Sequence, residues 1–275
     1  MQAQADAFGW YHTIDLGNGV VTKGISVQET SANVIPDVTG KSVLDIGAWD
    51  GKFSFLAEQH GASRVVALDH YAWGVDFVAR GAYWEECITS GLLPDQTRDE
   101  TDFWRPDLPG QRGFNFAAKA LDSKVEPVVA DFQRVDLDQL GRFDVVLYLG
   151  VLYHMKEPLT CLERLRAVTK EVAVIETEAV HLQGLDNEVL LQFHAGSSLR
   201  TDFGNWYVPT IEALHNLCRA AGFARIETVV GPPAAPRPTA PGLVQEVTRR
   251  ARRAPAPVPS APSQNYRAVV HAFTD

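Results

Sequence analysis

The sequence lacks the features that mark several large protein classes. Its three cysteines, Cys87, Cys161 and Cys218, are odd in number and widely spaced among 275 residues. That spacing fits neither a disulfide framework nor a zinc site, so they read as reduced thiols, and no metal is expected. No run reaches the ~18 apolar residues of a membrane-crossing helix, so no membrane partner is expected. Met1-Gln2-Ala3-Gln4-Ala5-Asp6 lacks the basic-then-apolar profile of a secretory leader, and a cytoplasmic location is the resulting expectation. Basic charge is short as well: 25 Lys and Arg against 34 Asp and Glu leave a net charge of −9. Tight nucleic-acid binding draws on a basic field, so composition weighs against such a partner, although a local patch can serve where an average does not. No internal repeat is visible, and nothing in the pattern fixes an oligomeric state.

What is present centres on Ser42–Phe53, an apolar run that ends in an acid and two glycines before a helical pattern begins. It reads as strand, tight turn and helix, with Gly47 and Gly51 allowing close backbone approach to a ligand. The spacing is neither the dinucleotide G-x-G-x-x-G nor a phosphate loop, and Asp45 and Asp50 would repel a pyrophosphate. A ligand with cationic character suits the turn better. A second apolar run, Arg64 to Asp69, also ends in an acid, where the second strand of a doubly wound sheet meets a ribose. Acid, glycine-rich turn, helix, strand, acid resembles the S-adenosylmethionine site of class I methyltransferases. The competing reading is a Rossmann-like unit for another nucleoside.

Residues 1–40 form an N-terminal flap ahead of the first strand, with Trp10, Tyr11 and His12 adjacent and Gly17-Asn18-Gly19 marking a hairpin or tight loop. This flap either packs on the domain or covers the site. Residues 41–275 form the catalytic domain. Its insertion at about 71–112 carries Trp73, Trp84 and Trp104 and has a loop-like, Pro/Gly-punctuated stretch over 95–110, as lids often do. Strands are expected over 125–131, 143–150, 171–178, 224–230 and 266–273, and helices over 53–60, 157–169 and 210–221. A Pro-rich insertion at about 231–264 holds nine of the sixteen prolines and could include a helix over 243–254 ending in the cluster Arg249, Arg250, Arg252, Arg253.

The fourth strand runs into Leu149-Gly150-Val151-Leu152-Tyr153-His154. With Phe143-Asp144 before it, Glu157-Pro158-Leu159 after it and Thr22-Lys23-Gly24 upstream, the chain resembles the tRNA wobble-uridine carboxymethyltransferase family and its shorter biosynthetic relatives. The resemblance implies a Rossmann-like α/β fold, a mostly parallel seven-stranded sheet with helices on both faces and an antiparallel last strand. It also implies S-adenosylmethionine as cofactor. Asp45, Gly47, Asp50 and Gly51 would line its methionine and ribose end, Asp69 with His70 the ribose, and Asp131 with Phe132 the adenine. Leu149 and Gly150 would contact the methionine ammonium. In the family a lysine, a tyrosine and an arginine hold the extra carboxylate of carboxy-S-adenosylmethionine, and these fall on Lys23, Tyr153 and Arg267. The sequence departs from the family at Ala48-Trp49-Asp50, where the family has Cys-Gly-Ser.

Methyl transfer is an in-line displacement, so the protein orients an acceptor and removes its proton. His154 is the first candidate base because imidazole titrates near neutral pH, with a structural histidine as the bland alternative. His12, Glu178 and His181 are reserves. Trp10, Tyr11, Trp73, Trp104 and His194 are the candidate acceptor contacts. The expected function is methylation of a small acceptor, most plausibly an oxygen of a sugar or secondary metabolite. The alternatives are methyl or carboxymethyl transfer to a tRNA base, and a cofactor-binding module without catalysis.

Overall fold

The computed structural model describes residues 1–25, 31–185, 187–200, 202–233 and 263–275. The Arg249–Arg253 cluster, the helix expected around it and most of the Pro-rich insertion lie outside the described residues. The strands are β1 (Ser42–Ile46), β2 (Arg64–Asp69), β3 (Glu126–Val129), β4 (Phe143–Leu149), β5 (Thr169–Leu182), β6 (Leu191–Phe193), β7 (Tyr207–Pro209), β8 (Arg225–Val230) and β9 (Ser263–Phe273). Seven of them form one sheet in the order β3-β2-β1-β4-β5-β9-β8. β1 to β5 pair in parallel within it, while β9 is antiparallel to both β5 and β8. The reversal of strand order between β1 and β4 puts a crevice at their C-terminal ends, the position where open α/β sheets bind ligands.

Alternate residues of the central strands feed two separate cores, which is why these strands read as continuous apolar runs. Val43, Val65, Ala67, Val145 and Leu147 face Phe53 and Phe55 of helix Lys52–Gln59 and Phe114 of helix Gln111–Ala120. Leu44, Ile46, Val66, Leu68 and Val146 face Leu162 and Leu165 of helix Pro158–Val168 and Leu214 of helix Ile211–Ala220. Fully burying one such aliphatic side chain contributes about 1.5–3 kcal/mol. Cys87, Cys161 and Cys218 are free and buried, where they act as small apolar groups.

The N-terminal segment belongs to the first of these cores through Trp10, Ile14, Leu16 and Val20. Its tight turn forms at Gly17-Asn18-Gly19, three successive residues at positive φ, closed by the Asp15–Val21 bridge. Asp50 fixes the segment to the domain. Its carboxylate, 2 % exposed, accepts from the backbone N–H of Tyr11 at 2.9 Å and of His12 at 2.8 Å, and from His12 Nδ1 at 2.5 Å.

In the insertion after β2, a helix outside those expected precedes the loop-like stretch 95–110. Asp76 caps helix Phe77–Ser90 by accepting from Val78 N and Ala79 N, and Gly91 closes it at φ 68°. A 3-10 turn, Gln96–Glu100, follows. The short two-stranded sheet β6-β7, unexpected from the residue pattern, lies in the excursion between β5 and helix Ile211–Ala220. That excursion is knit to the end of β4 by Trp206 N donating to Tyr153 O at 2.8 Å.

Removing the tether at Asp50 tests this organisation. Asp50→Ala leaves two part-buried backbone N–H groups and one imidazole without this partner, so a loss of about 1–3 kcal/mol is expected. Denaturant unfolding together with limited proteolysis of residues 1–25 measures it. Unchanged stability would mean that the flap is held by its apolar contacts alone.

Candidate active site

The strand C-termini open into a cleft of about 780 Å³. Three of its carboxylates stand near the C-terminal ends of β1, β2 and β3. Asp45, on β1, is 3 % exposed and accepts from Ser54 Oγ at 2.6 Å. Asp69, at the end of β2, is 5 % exposed and accepts from Trp49 N and Ala72 N, each at 2.9 Å. Burial pushes each of these two carboxyls up to about 6, against the opposing pull of these hydrogen bonds. Asp131, two residues beyond β3, accepts from Gln133 N at 2.9 Å and faces Arg134 Nε at 3.4 Å.

The backbone between these acids is shaped for close approach. Gly47 sits at φ 77°, and a Cβ there would lie 2.6 Å from Val151 Cγ2. Gly150, at φ 74°, would carry its Cβ 3.2 Å from Arg267 Nη2. Carboxylates that can meet an ammonium or sulfonium, a ribose diol and an adenine amino group, around a side-chain-free floor, fit S-adenosylmethionine.

A charge cluster forms the far wall. Glu178 and Arg267 are direct cross-strand partners on β5 and β9, and Glu176 shares their face two residues away. Arg267 donates from Nε and Nη2 to Glu176, the latter at 2.6 Å, and from Nη1 to Glu178 at 3.1 Å. Arg200 Nε also reaches Glu178, at 2.7 Å. The Tyr153 ring lies under Arg267, 5.0 Å from guanidinium to centroid. Burial raises the Tyr153 hydroxyl to about 12, so it stays protonated.

His154 lines the cleft. Its Nδ1 is 3.0 Å from the carbonyl oxygen of Gly204. A carbonyl only accepts, so this contact assigns the proton to Nδ1 and leaves the lone pair on Nε2. Burial holds its pKa below the ordinary 6.5, with nearby Asp202 opposing. The ring is therefore neutral at physiological pH and competent to take a proton.

Of the residues named from sequence, the cleft brings together Tyr11, His12, Asp45, Gly47, Asp69, His70, Trp104, Asp131, Phe132, Leu149, Gly150, Tyr153, His154 and Arg267. The others lie outside its lining, each for a physical reason. Asp50 is spent on the flap, and Gly51 packs at the helix start, where a Cβ would meet Phe55 and Phe114 at 2.6 Å. Trp10 and Trp73 are core residues, their indoles donating to the Ala5 and Trp49 carbonyls. Lys23 is 74 % exposed and paired with Asp6 at 2.8 Å, so it does not join Tyr153 and Arg267. Glu178 is fully buried under two arginines. His194 pairs with Ser198 Oγ at 3.0 Å within the β6-β7 excursion, and His181 sits one residue from the end of β5. Sequence reading missed Trp49, Phe77, Arg80, Asp99, Glu176 and Asp202, all lining the cleft. Alternation along β5 was the available signal for Glu176.

The sheet order, the antiparallel β9 and the acids at the strand ends together define a class I methyltransferase. The protein-family model described as Methyltransferase domain matches residues 27–228, more than half of the chain. The chain belongs to that family. It is 25% identical over 194 residues to a tRNA U34 carboxymethyltransferase of Pseudomonas putida (strain W619), covering 70% of this chain and 48% of that protein. A tRNA U34 carboxymethyltransferase of Stutzerimonas stutzeri (strain A1501) is 25% identical over 201 residues, 72% of this chain and 50% of that one. The chain thus spans about half the length of the curated relatives it matches. Among solved structures, the N-terminal domain of EvdMO1, crystallised in the presence of SAH and D-fucose, shares the fold with a TM-score of 0.59 and 17% identity, over 99% of this chain and 94% of that one.

The raised carboxyl pKa values carry a pH prediction. Asp45 and Asp69 ionise near 6 when folded against an ordinary 3.8. The ligand-free protein therefore loses stability as pH rises from about 4 to about 6 and levels off above. Donor binding runs the opposite way, because the ionised acids attract its positive charge and accept from its hydroxyls. Calorimetric titration with S-adenosylmethionine should show affinity rising between pH 5 and 7. Asp69→Asn, which keeps the shape of the side chain, should flatten that rise and weaken binding by about 1–3 kcal/mol; a flat wild-type profile would contradict it.

Proposed function

We propose that the protein transfers a methyl group from S-adenosylmethionine to a hydroxyl oxygen of a small acceptor, a sugar or secondary metabolite. The observation that carries methyl over carboxymethyl transfer is the state of the Lys23, Tyr153 and Arg267 trio. Arg267 is already matched by two carboxylates, Glu176 and Glu178, and Lys23 is engaged at the surface by Asp6. A donor with an additional carboxylate would meet Glu176 without a free cation to receive it. The sugar class is supported by the neighbour crystallised in the presence of SAH and D-fucose. The curated relatives, named as tRNA U34 carboxymethyltransferases, favour the second reading, transfer to a tRNA base. Arg134, Arg200 and Arg267 of the cleft lining are each paired with acids, which leaves Lys156 and the loosely paired Arg80 as the lining cations that phosphates could meet.

S-adenosylmethionine, when bound, supplies an electrophilic methyl on a sulfonium. The chain's own residues do the rest. The Asp45 and Asp69 carboxylates bind and orient the donor, and the aromatic stack of Tyr11, Trp49 and Phe77 keeps water from one side of the cleft. His154 Nε2 accepts the proton that leaves the acceptor hydroxyl, while Gly204 holds its ring through Nδ1.

His154→Asn should lower kcat by about 10²–10⁴-fold and leave S-adenosylhomocysteine affinity unchanged. Acceptor screening by mass spectrometry reads both the activity and the group added. Gain of a carboxymethyl group, or a tenfold preference for carboxy-S-adenosylmethionine in competition, about 1.4 kcal/mol, would overturn the methyl reading. Donor binding with no turnover on any acceptor would favour a module without catalysis.

A further inference from the structure

The cleft holds a buried ion pair that the proposed chemistry does not use. Arg80, on helix Phe77–Ser90, and Asp99, in the turn Gln96–Glu100, both line it and are 9 % and 8 % exposed. A buried pair needs short, well-directed hydrogen bonds to offset its desolvation. This one lacks them: Arg80 Nη1 and Asp99 Oδ2 are 3.6 Å apart, beyond hydrogen-bond length. Arg80 Nε, Asp99 Oδ1 and Trp84 Nε1 are buried with no hydrogen-bond partner among the described residues.

The guanidinium is held mainly by rings, with Tyr71, Phe77 and Trp84 centroids at 5.0, 4.8 and 4.0 Å. Tyr71 Oη occupies the other Asp99 oxygen at 2.7 Å. Burial penalises both charges, lifting the Asp99 carboxyl and lowering Arg80 from their ordinary values. Each side chain keeps 11% of its surface open. Two donors and one acceptor are thus left incomplete within three side chains that line a ligand-sized cleft.

The missing partner has a definable chemistry. An anion would satisfy Arg80 but confront Asp99 and Asp202, whose charge also acts on Arg80. A cation would reverse the conflict. Neighbouring neutral hydroxyls serve both, because each donates and accepts. The cleft also offers flat apolar surface in Trp104, stacked on His70 at 4.3 Å, against which the C–H face of a pyranose ring can pack.

We infer that Arg80 and Asp99 form an acceptor subsite for an uncharged glycosyl unit, bonding two neighbouring hydroxyls of its ring. The inference rests on the small-acceptor reading above and names the group that such an acceptor presents. It places specificity on two side chains separate from the donor acids and from His154.

The test titrates methyl glycosides of D-fucose, D-galactose, D-glucose and D-mannose into protein saturated with S-adenosylhomocysteine, with binding read by saturation-transfer NMR. Wild type should bind at least one of them. Asp99→Asn, nearly isosteric, and Arg80→Met should each weaken that binding tenfold or more while S-adenosylhomocysteine affinity is retained. Unchanged glycoside affinity in both variants would overturn the inference. So would the absence of glycoside binding by the loaded wild type, or tighter binding of a hexuronate or hexose phosphate than of its neutral parent. S-adenosylhomocysteine affinity is read on the same samples, so failure of the donor site is distinguishable from failure of the subsite.

Discussion

Asp69 is the joint on which the cleft depends. One carboxylate oxygen takes the N–H of Trp49, in the turn after β1, and the other the N–H of Ala72, at the start of the stretch after β2. Two loops from different strands are thereby fixed to one buried acid. Trp49 is held at a positive φ of 47°, a conformation that costs a bulky residue about 1–2 kcal/mol and so needs such support. Its carbonyl then receives the Trp73 indole at 2.5 Å, and its ring stacks on Tyr11 of the flap and Phe77 of the insertion. The residue suited to a ribose is therefore also the one that aligns flap, glycine turn and insertion.

A second constraint is charge balance. Glu176, Glu178, Arg200 and Arg267 bring two negative and two positive groups onto the β5-β9 wall, and their pairing leaves it close to neutral. Replacing such a set by apolar residues is often neutral or stabilising, so stability is a weak reason for it. Its clearer effect is on selectivity: an arginine with both edges engaged no longer attracts a free carboxylate. The same logic separates Arg80 from Arg267. The first is underpaired and ring-bound, while the second has its charge matched by two carboxylates.

Much of the frame was legible in the sequence because its signals are local. Apolar runs covered on both faces mark β1, β2, β4 and β5, and the acids closing them, Asp45 and Asp69, follow from strand and turn chemistry. Helix Phe77–Ser90 was legible in principle through its Asp76 and Gly91 caps, yet the surrounding Pro/Gly-punctuated stretch obscured it. Contacts between distant residues were not legible. Asp50 read as part of a binding turn, whereas it serves Tyr11 and His12, which lie 39 and 38 residues away. Lys23 carried the right identity and order for a carboxylate trio, but the turn that precedes it directs it to Asp6. Strands of three residues such as β6 and β7 are too short for any periodicity to appear.

The flap illustrates how two readings of one segment can both hold. Trp10 is 2 % exposed within the core, while the adjacent Tyr11 lines the cleft and stacks on Trp49. The chain bends at Tyr11 and His12, so the Trp10 ring anchors in the core while the two rings that follow line the cleft. Displacing this flap would expose Trp10, Ile14, Leu16 and Val20, at about 1.5–3 kcal/mol for each large apolar side chain. On the opposite rim, the insertion meets the β6-β7 excursion through Gln96 Nε2 of the turn Gln96–Glu100, which donates to Phe203 O at 2.6 Å, and through the edge contact of Trp84, on helix Phe77–Ser90, with Phe203. Those two contacts are worth about 1 kcal/mol each. The flap side is fixed by those buried apolar side chains and by the Asp50 carboxylate, and the opposite rim by Phe203, 5 % exposed, on which both Gln96 and Trp84 converge.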